Sequence, residues 1–127
     1  MPKRVVYAPE VAIPVKAYSQ AIDTGSLVFC SGQLAYDAKN DTVFSDSVAE
    51  QTDYLMQNIQ AVLNAAGLQL QDVVKTTIYL TDMNDFVSFN EVYACYFDTN
   101  PPARSTIGVN ALAKGAKVEI EVIAIRP

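Results

Sequence analysis

No histidine and no tryptophan occur among the 127 residues. The missing imidazole excludes Ser-His-Asp and Cys-His nucleophile systems and every zinc or iron site that needs a histidine ligand. Acid–base chemistry is left to Asp, Glu, Lys, Tyr, backbone groups or water, and no metal and no cofactor is expected. Neither a Walker pattern nor Gly-x-Gly-x-x-Gly is present, so a phosphate loop for a nucleotide is not indicated. Lys and Arg total 9 against 14 Asp and Glu, a net charge of −5. Without a basic cluster, that balance repels phosphate backbones and argues against a nucleic-acid partner. No apolar run is long enough to span a membrane, and Val5-Val6-Tyr7-Ala8 is too short for the core of a secretion signal. A cytoplasmic location is expected. The 2 cysteines, Cys30 in a strand-like run and Cys95 in a helix-like one, form no C-x-x-C pair and are expected to be buried, inert thiols.

What is present asks for a core. Half of the residues are hydrophobic, and the length is that of a single domain, residues 1–127, able to bury roughly two thirds of its unfolded surface. Residues 1–17 read as an extended lead-in broken by Pro9 and Pro14, with an edge strand allowed where Val11, Ile13 and Val15 alternate. Tyr18–Asp23, the turn Thr24-Gly25-Ser26 and Leu27–Gln33 read as a β-hairpin whose second arm is interior to a sheet. Tyr36–Ser45 reads as a polar loop. Ser47-Val48-Ala49-Glu50 has the form of a capping box opening a helix, with Val48, Thr52, Leu55, Ile59, Val62, Leu63 and Ala66 on one stripe and Gly67 as its stop. Val73–Leu80 is β-branched and aromatic, hence a strand. Asp82 or Asn84 is placed to cap a second helix with an aromatic stripe at Phe86, Phe89, Val92, Tyr93, Tyr96 and Phe97.

The last two runs carry the chemistry. In Pro102–Val109 the alternation puts Ser105, Ile107 and Val109 on one face and Arg104, Thr106 and Gly108 on the other. In Lys117–Ile125, Val118, Ile120, Val122 and Ala124 form an apolar face opposite Glu119, Glu121, Ile123 and Ile125. A hairpin between these runs across Asn110–Ala116 would let an arginine and a glutamate face the same space. Such a pair is either a structural ion pair or a site for a small anion with a base beside it, and Glu121 competes with Glu119 for the second role. The order is β-β-α-β-α-β-β, an α+β plait. Its two helices cover one face of the sheet, and Val73, Tyr79, Ile123 and Ile125 are expected to leave the other face apolar, which points to a homo-oligomer packed through its sheets.

Tyr18-Ser19-Gln20, Ser31-Gly32-Gln33, Ala66-Gly67-Leu68, Val74-Lys75-Thr76-Thr77, Phe89-Asn90-Glu91-Val92-Tyr93, Pro102-Ala103-Arg104-Ser105 and Val118-Glu119-Ile120-Glu121, in that order, resemble the RidA (YjgF) family along nearly the whole chain. The resemblance implies a chorismate-mutase-like fold and a homotrimer whose sheets form a central barrel-like core, helices outside, with sites at the subunit interfaces. It also implies hydrolytic deamination of reactive enamine/imine intermediates (2-aminoacrylate/2-iminopropanoate and 2-iminobutanoate) to 2-oxo acids and ammonia. By similarity, Arg104 clamps the substrate carboxylate, Glu119 positions or activates water, and Tyr18, Ser31 and the backbone at Thr106 shape the pocket. Thr106 stands where many relatives have cysteine, which a backbone contact survives. Lys16-Ala17 replaces the usual Gly-Pro before Tyr18, and Asn110 replaces a small or basic residue, both departures bearing on substrate preference. The alternative is a non-catalytic module that binds a small carboxylate, a 2-oxo or amino acid, through the same arginine. For Tyr18 and Ser31 the plainer roles are an interface aromatic and a small strand-end residue.

Overall fold

The structure is a computed structural model that describes residues 2–127; Met1, the first residue of the expected 1–127 domain, lies outside the described residues. The strands are β1 (Arg4–Val6), β2 (Ala21–Asp23), β3 (Leu27–Gln33), β4 (Tyr36–Asp37), β5 (Thr42–Val43), β6 (Val73–Leu80), β7 (Ala103–Gly108) and β8 (Val118–Ile125), with helices α1 (Val48–Ala65) and α2 (Phe86–Tyr96). Six strands form one sheet in the order β1-β2-β3-β8-β6-β7, and β4 and β5 pair by themselves. The alternation of Val118, Ile120, Val122 and Ala124 fixes which side of β8 is core. These four residues are buried together with Ile78 and Leu80 of β6 beneath Leu55, Met56, Ile59 and Leu63 of α1 and Phe89 of α2. Both helices lie on this side of the sheet. No helix among the described residues is long and apolar enough to cross a membrane.

The helix signals act as sequence chemistry dictates. Ser47 caps α1 by accepting from the Glu50 amide. The box is only half closed, because Glu50 accepts from Ser45 Oγ instead of the Ser47 amide, which itself donates to Ser45 Oγ. At the far end Gly67 takes φ 77°. Its amide donates to Asn64 O and that of Leu68 to Leu63 O, the two bonds of a Schellman stop. Asp82 caps a single tighter turn, Met83–Asp85, that leads into α2, while Asn84 lies inside that turn and donates to Asp82.

Several expectations are corrected. The Arg104 and Glu119 strands do not form a hairpin: β7 runs parallel to β6, and β8 is antiparallel to β6 on its other side. The reason is the crossover. A strand, helix and returning strand (β6, α2, β7) place β7 outside β6, and the apolar face of β8 is buried in the middle of the sheet rather than beside an exposed edge. The edge strand falls at Arg4–Val6 instead of Val11–Val15. Residues 8–12 are drawn instead around the buried Gln20 amide, which bonds Ala8 N, Ala8 O, Val11 O and Ala12 O. The first hairpin arm is shorter than Tyr18–Asp23 for the same reason. The loop Tyr36–Ser45 contains the short β4–β5 hairpin, pinned where Asp41 accepts from Tyr36 Oη and Lys114 Nζ. Val73 faces the helices because the β6–β8 register shifts between Val73 and Lys75. Cys95 is exposed, two residues beyond buried Tyr93 and therefore on the opposite side of α2; Cys30 is buried, and burial pushes its thiol up to about 12.

The uncovered face of the sheet is apolar with polar islands. Phe29, Ile107 and Ile125 are 42%, 42% and 46% exposed there, beside Tyr79, Glu119, Glu121 and Ile123. Contiguous apolar surface on a sheet face is a surface made to be covered.

Candidate active site

Arg104 sits on the edge strand. Its register partner is Thr76, whose own partner is Val122, so all three point to the helix side. There the guanidinium lies 5.0 Å from the Tyr93 ring centroid and 5.4 Å from that of Phe86, and Nη1 donates to Asn90 Oδ1 at 2.7 Å. Phe86, Asn90 and Tyr93 are spaced at i, i+4 and i+7, one face of α2. Two stacked rings and an amide fix the plane of a side chain that still reaches solvent, with one of its five N–H donors used on Asn90. The structural ion pair with Glu119 or Glu121, one of the two alternatives for Arg104, is not formed; the salt bridges among the described residues are Arg4–Asp23, Lys114–Asp41 and Arg126–Asp23. Thr106 follows on the same face of β7, half-buried.

Glu119 sits on the opposite face, in the row Glu119–Tyr79–Ile107. Its carboxylate is pressed onto Gly32: a Cβ on that residue would overlap Glu119 Oε2. The approach is possible because the β3–β8 register slips between Cys30 and Gln33. Burial first, and the Glu121 charge second, raise the Glu119 pKa above its ordinary value, with no hydrogen bond relieving it. Glu121 is engaged differently. It accepts from Tyr79 Oη at 2.5 Å, and this bond, with burial, pushes the Tyr79 phenol up to about 12. Glu121 is thus committed to Tyr79, whereas no hydrogen bond offsets the burial of Glu119.

Ser31 and Tyr18 flank Glu119's end of the sheet. Ser31 Oγ donates to Ser19 O at 2.6 Å and its amide to Gln20 O, which ties β3 to the segment carrying Tyr18. The Tyr18 ring is exposed. The chain thus presents two half-sites: Arg104 and Thr106 over α2, and Glu119 with Gly32, Ser31 and Tyr18 at the β3–β8 slip. One strand width on either side of β6 separates them by about 10 Å, and three residues of rise add about 10 Å along the sheet. They also face opposite sides, so one small ligand cannot touch both within one chain. Sequence reasoning missed Asn90 and Gly32. The signals were a polar residue at helical spacing within the aromatic stripe, and a glycine inside a strand, which marks a close approach. Among the described residues no group of three or more Cys, Asp or Glu side chains is disposed to hold a metal ion.

The family described as Endoribonuclease L-PSP matches residues 9–126. The chain belongs to this family, the YjgF/RidA family. It is 43% identical over 124 residues to a RutC family protein of Pyrococcus horikoshii, covering 98% of each chain. It is 39% identical to the 2-iminobutanoate/2-iminopropanoate deaminase of Homo sapiens, covering 98% of this chain and 90% of that one. Among solved structures, Escherichia coli TdcF with bound serine superposes with a TM-score of 0.91 at 36% identity, covering 98% of this chain and 99% of that chain. The RidA fold is therefore this chain's fold.

Proposed function

We propose that this protein is a cytoplasmic hydrolase that deaminates 2-iminopropanoate and 2-iminobutanoate, with their enamine tautomers, to 2-oxo acids and ammonia. It acts as a homotrimer of single-domain protomers whose apolar sheet faces pack together. The observation that carries the reading is the pair of complementary half-sites on opposite faces, completed when Arg104 of one copy approaches Glu119 of the next. Relatives named as deaminases of these substrates support it.

The chemistry follows from the two groups. The substrate's C1 carboxylate meets the Arg104 fork, two charge-assisted bonds of about 1.5–3 kcal/mol each. An enamine takes a proton at C3 and becomes the iminium, the protonated imine. Glu119 accepts a proton from water as the oxygen adds to C2, forming a tetrahedral carbinolamine. The same carboxyl returns the proton to nitrogen, making it an NH3+ group. The C2–N bond breaks with its electron pair leaving on ammonia while the hydroxyl O–H pair becomes the C2=O bond. The hydroxyl proton passes to Glu119 and from there to the ammonia, leaving the 2-oxo acid and ammonium. A carboxylate whose pKa is raised by burial is a stronger base than a solvated one. Amide N–H groups near Thr106 and the rim at Tyr18 and Ser31 complete the orientation.

The test is pyruvate and ammonia release from freshly generated 2-iminopropanoate. Wild type accelerates it over buffer, and Arg104→Ala and Glu119→Gln lose the acceleration while keeping their oligomeric state. A wild type no faster than buffer sinks the enzyme reading. The second reading, a non-catalytic carboxylate-binding module, is favoured by the serine bound in TdcF. It predicts that small 2-oxo or amino acids raise thermal stability without turnover.

A further inference from the structure

On the outer side of the molecule, away from both half-sites, α1 and α2 leave a groove of about 640 Å³. Its floor and walls are apolar: Phe44 stacks on Tyr54 with centroids 4.8 Å apart, and Val92, Cys95 and the ring of Tyr96 close the other side. Phe44 is 52% exposed although its ring is large and apolar. Along the rim stand Glu50, Asp53 and Glu91, and no lysine or arginine lines the groove. Asp53 is held in place by Tyr96 Oη and Gln57 Nε2, so its charge is fixed at the groove rather than swinging in solvent. The sheet faces opposite are those that copies of the chain use in the proposed trimer, which leaves this surface open to other molecules.

We propose that this groove is a docking site for a basic amphipathic helix of a partner protein, its apolar anchors on Phe44 and Val92 and its Lys or Arg residues on Glu50, Asp53 and Glu91. Two observations select that occupant. An apolar trough between two helices takes the apolar stripe of a third, with anchors at helical spacing. A rim of one charge sign favours the opposite sign and repels acidic segments and phosphates. The site is chemically independent of Arg104 and Glu119, so its occupation reports to a partner without touching the substrate.

Cys95 gives the readout, because it lies in the groove and the other thiol, Cys30, is buried. The experiment measures the rate at which a colourless disulfide reagent labels Cys95 as a blocked Leu/Lys amphipathic peptide is added, with a Leu/Glu peptide as control. Affinity is read from the same titration by fluorescence anisotropy of the labelled peptide. The Leu/Lys peptide is expected to protect Cys95 at least tenfold at saturation, roughly the loss of reagent access on full coverage, and the Leu/Glu peptide not at all. Glu50→Gln/Glu91→Gln is expected to weaken binding about fivefold, two exposed charge pairs' worth, and Phe44→Ala at least about tenfold. Deaminase activity stays unchanged in all three proteins. Failure of the Leu/Lys peptide to bind, or binding indifferent to both variants, overturns the proposal. So does protection that rises with protein concentration alone, which would assign the groove to a second copy, or equal protection by phenethylamine, which would make it a small-amine pocket.

Discussion

If Arg104 and Glu119 act on one substrate only across a boundary between copies, two dead variants must rescue each other. The single changes set the baseline. Arg104→Ala removes a two-pronged carboxylate clamp, about 3–6 kcal/mol, or about 10²–10⁴ in kcat/KM. Glu119→Gln removes the base, about 10²–10⁴ in rate. In a trimer assembled at random from equal amounts of the two, a site works only when its arginine comes from the Glu119 variant and its glutamate from the Arg104 variant. Each choice has probability one half, so about one quarter of sites are intact. Mixing after unfolding and refolding should raise activity from background to about 25% of wild type, linear in the product of the two mole fractions. The assay is the same ammonia release, with each variant refolded alone as control. A mixture no more active than its components would refute the opposed half-sites, because a site contained in one chain cannot be complemented.

Gly32→Ala should fold normally, since the atom that its Cβ overlaps is the flexible end of Glu119, yet lose activity by displacing the base; retained activity with an intact fold would count against Glu119. Glu119→Gln should be at least as stable as wild type at pH 7. The raised pKa means that Glu119 favours the folded state only below its unfolded value and opposes it as pH rises through the folded one, so chemical denaturation at pH 4 and 7 checks the sign. Asp23 is the opposite case. Its carboxyl is lowered by the Gly25 amide, then by Arg4 and Arg126, so its contribution is present above the unfolded value and is lost as pH falls through the folded one. Asp23→Asn should therefore melt lower than wild type at pH 7, with the gap closing in acid. Phe89→Ala, at a fully buried ring between Phe86 and Tyr93, should cost about 3–5 kcal/mol in urea unfolding.

Elements whose cause lies within a few residues were legible in the sequence. The Ser47 cap, the α1 stripe and the Gly67 stop are local chemistry, and Val73–Leu80 was read to its ends. The faces of β7 and β8 were also right, because alternation needs no knowledge of the neighbour. Their partner was not. Which strand lies beside β8 depends on the crossover through α2 and on where the largest apolar face can be buried, and neither is written at Asn110–Ala116. The choice of Glu119 over Glu121 rests on resemblance; nothing local in the sequence distinguishes them, and what differs in the structure is that Glu121 accepts from Tyr79. Asn90 and Gly32 carry local signals, a polar break in an aromatic stripe and a glycine within a strand, but the partners that give them meaning, Arg104 and Glu119, lie on other elements and are fixed only by the fold. Membership of a helix does not decide burial: two residues beyond buried Tyr93, Cys95 falls on the outer side of α2.

The sheet order β1-β2-β3-β8-β6-β7 places in the middle the strand that leaves the ribosome after all the others. Until β8 arrives, β3 and β6 each expose an unpaired edge, and the apolar floor beneath the helices is missing its central row. Before then the two halves are joined through α1 against α2, as where Tyr96 meets Asp53; the sheet itself closes in one late step that draws together residues about a hundred positions apart, as in Leu27 against Ile125. A nascent chain stalled before Val118 thus presents two sticky sheet edges, and a chaperone that covers strand edges has its work to do at that moment.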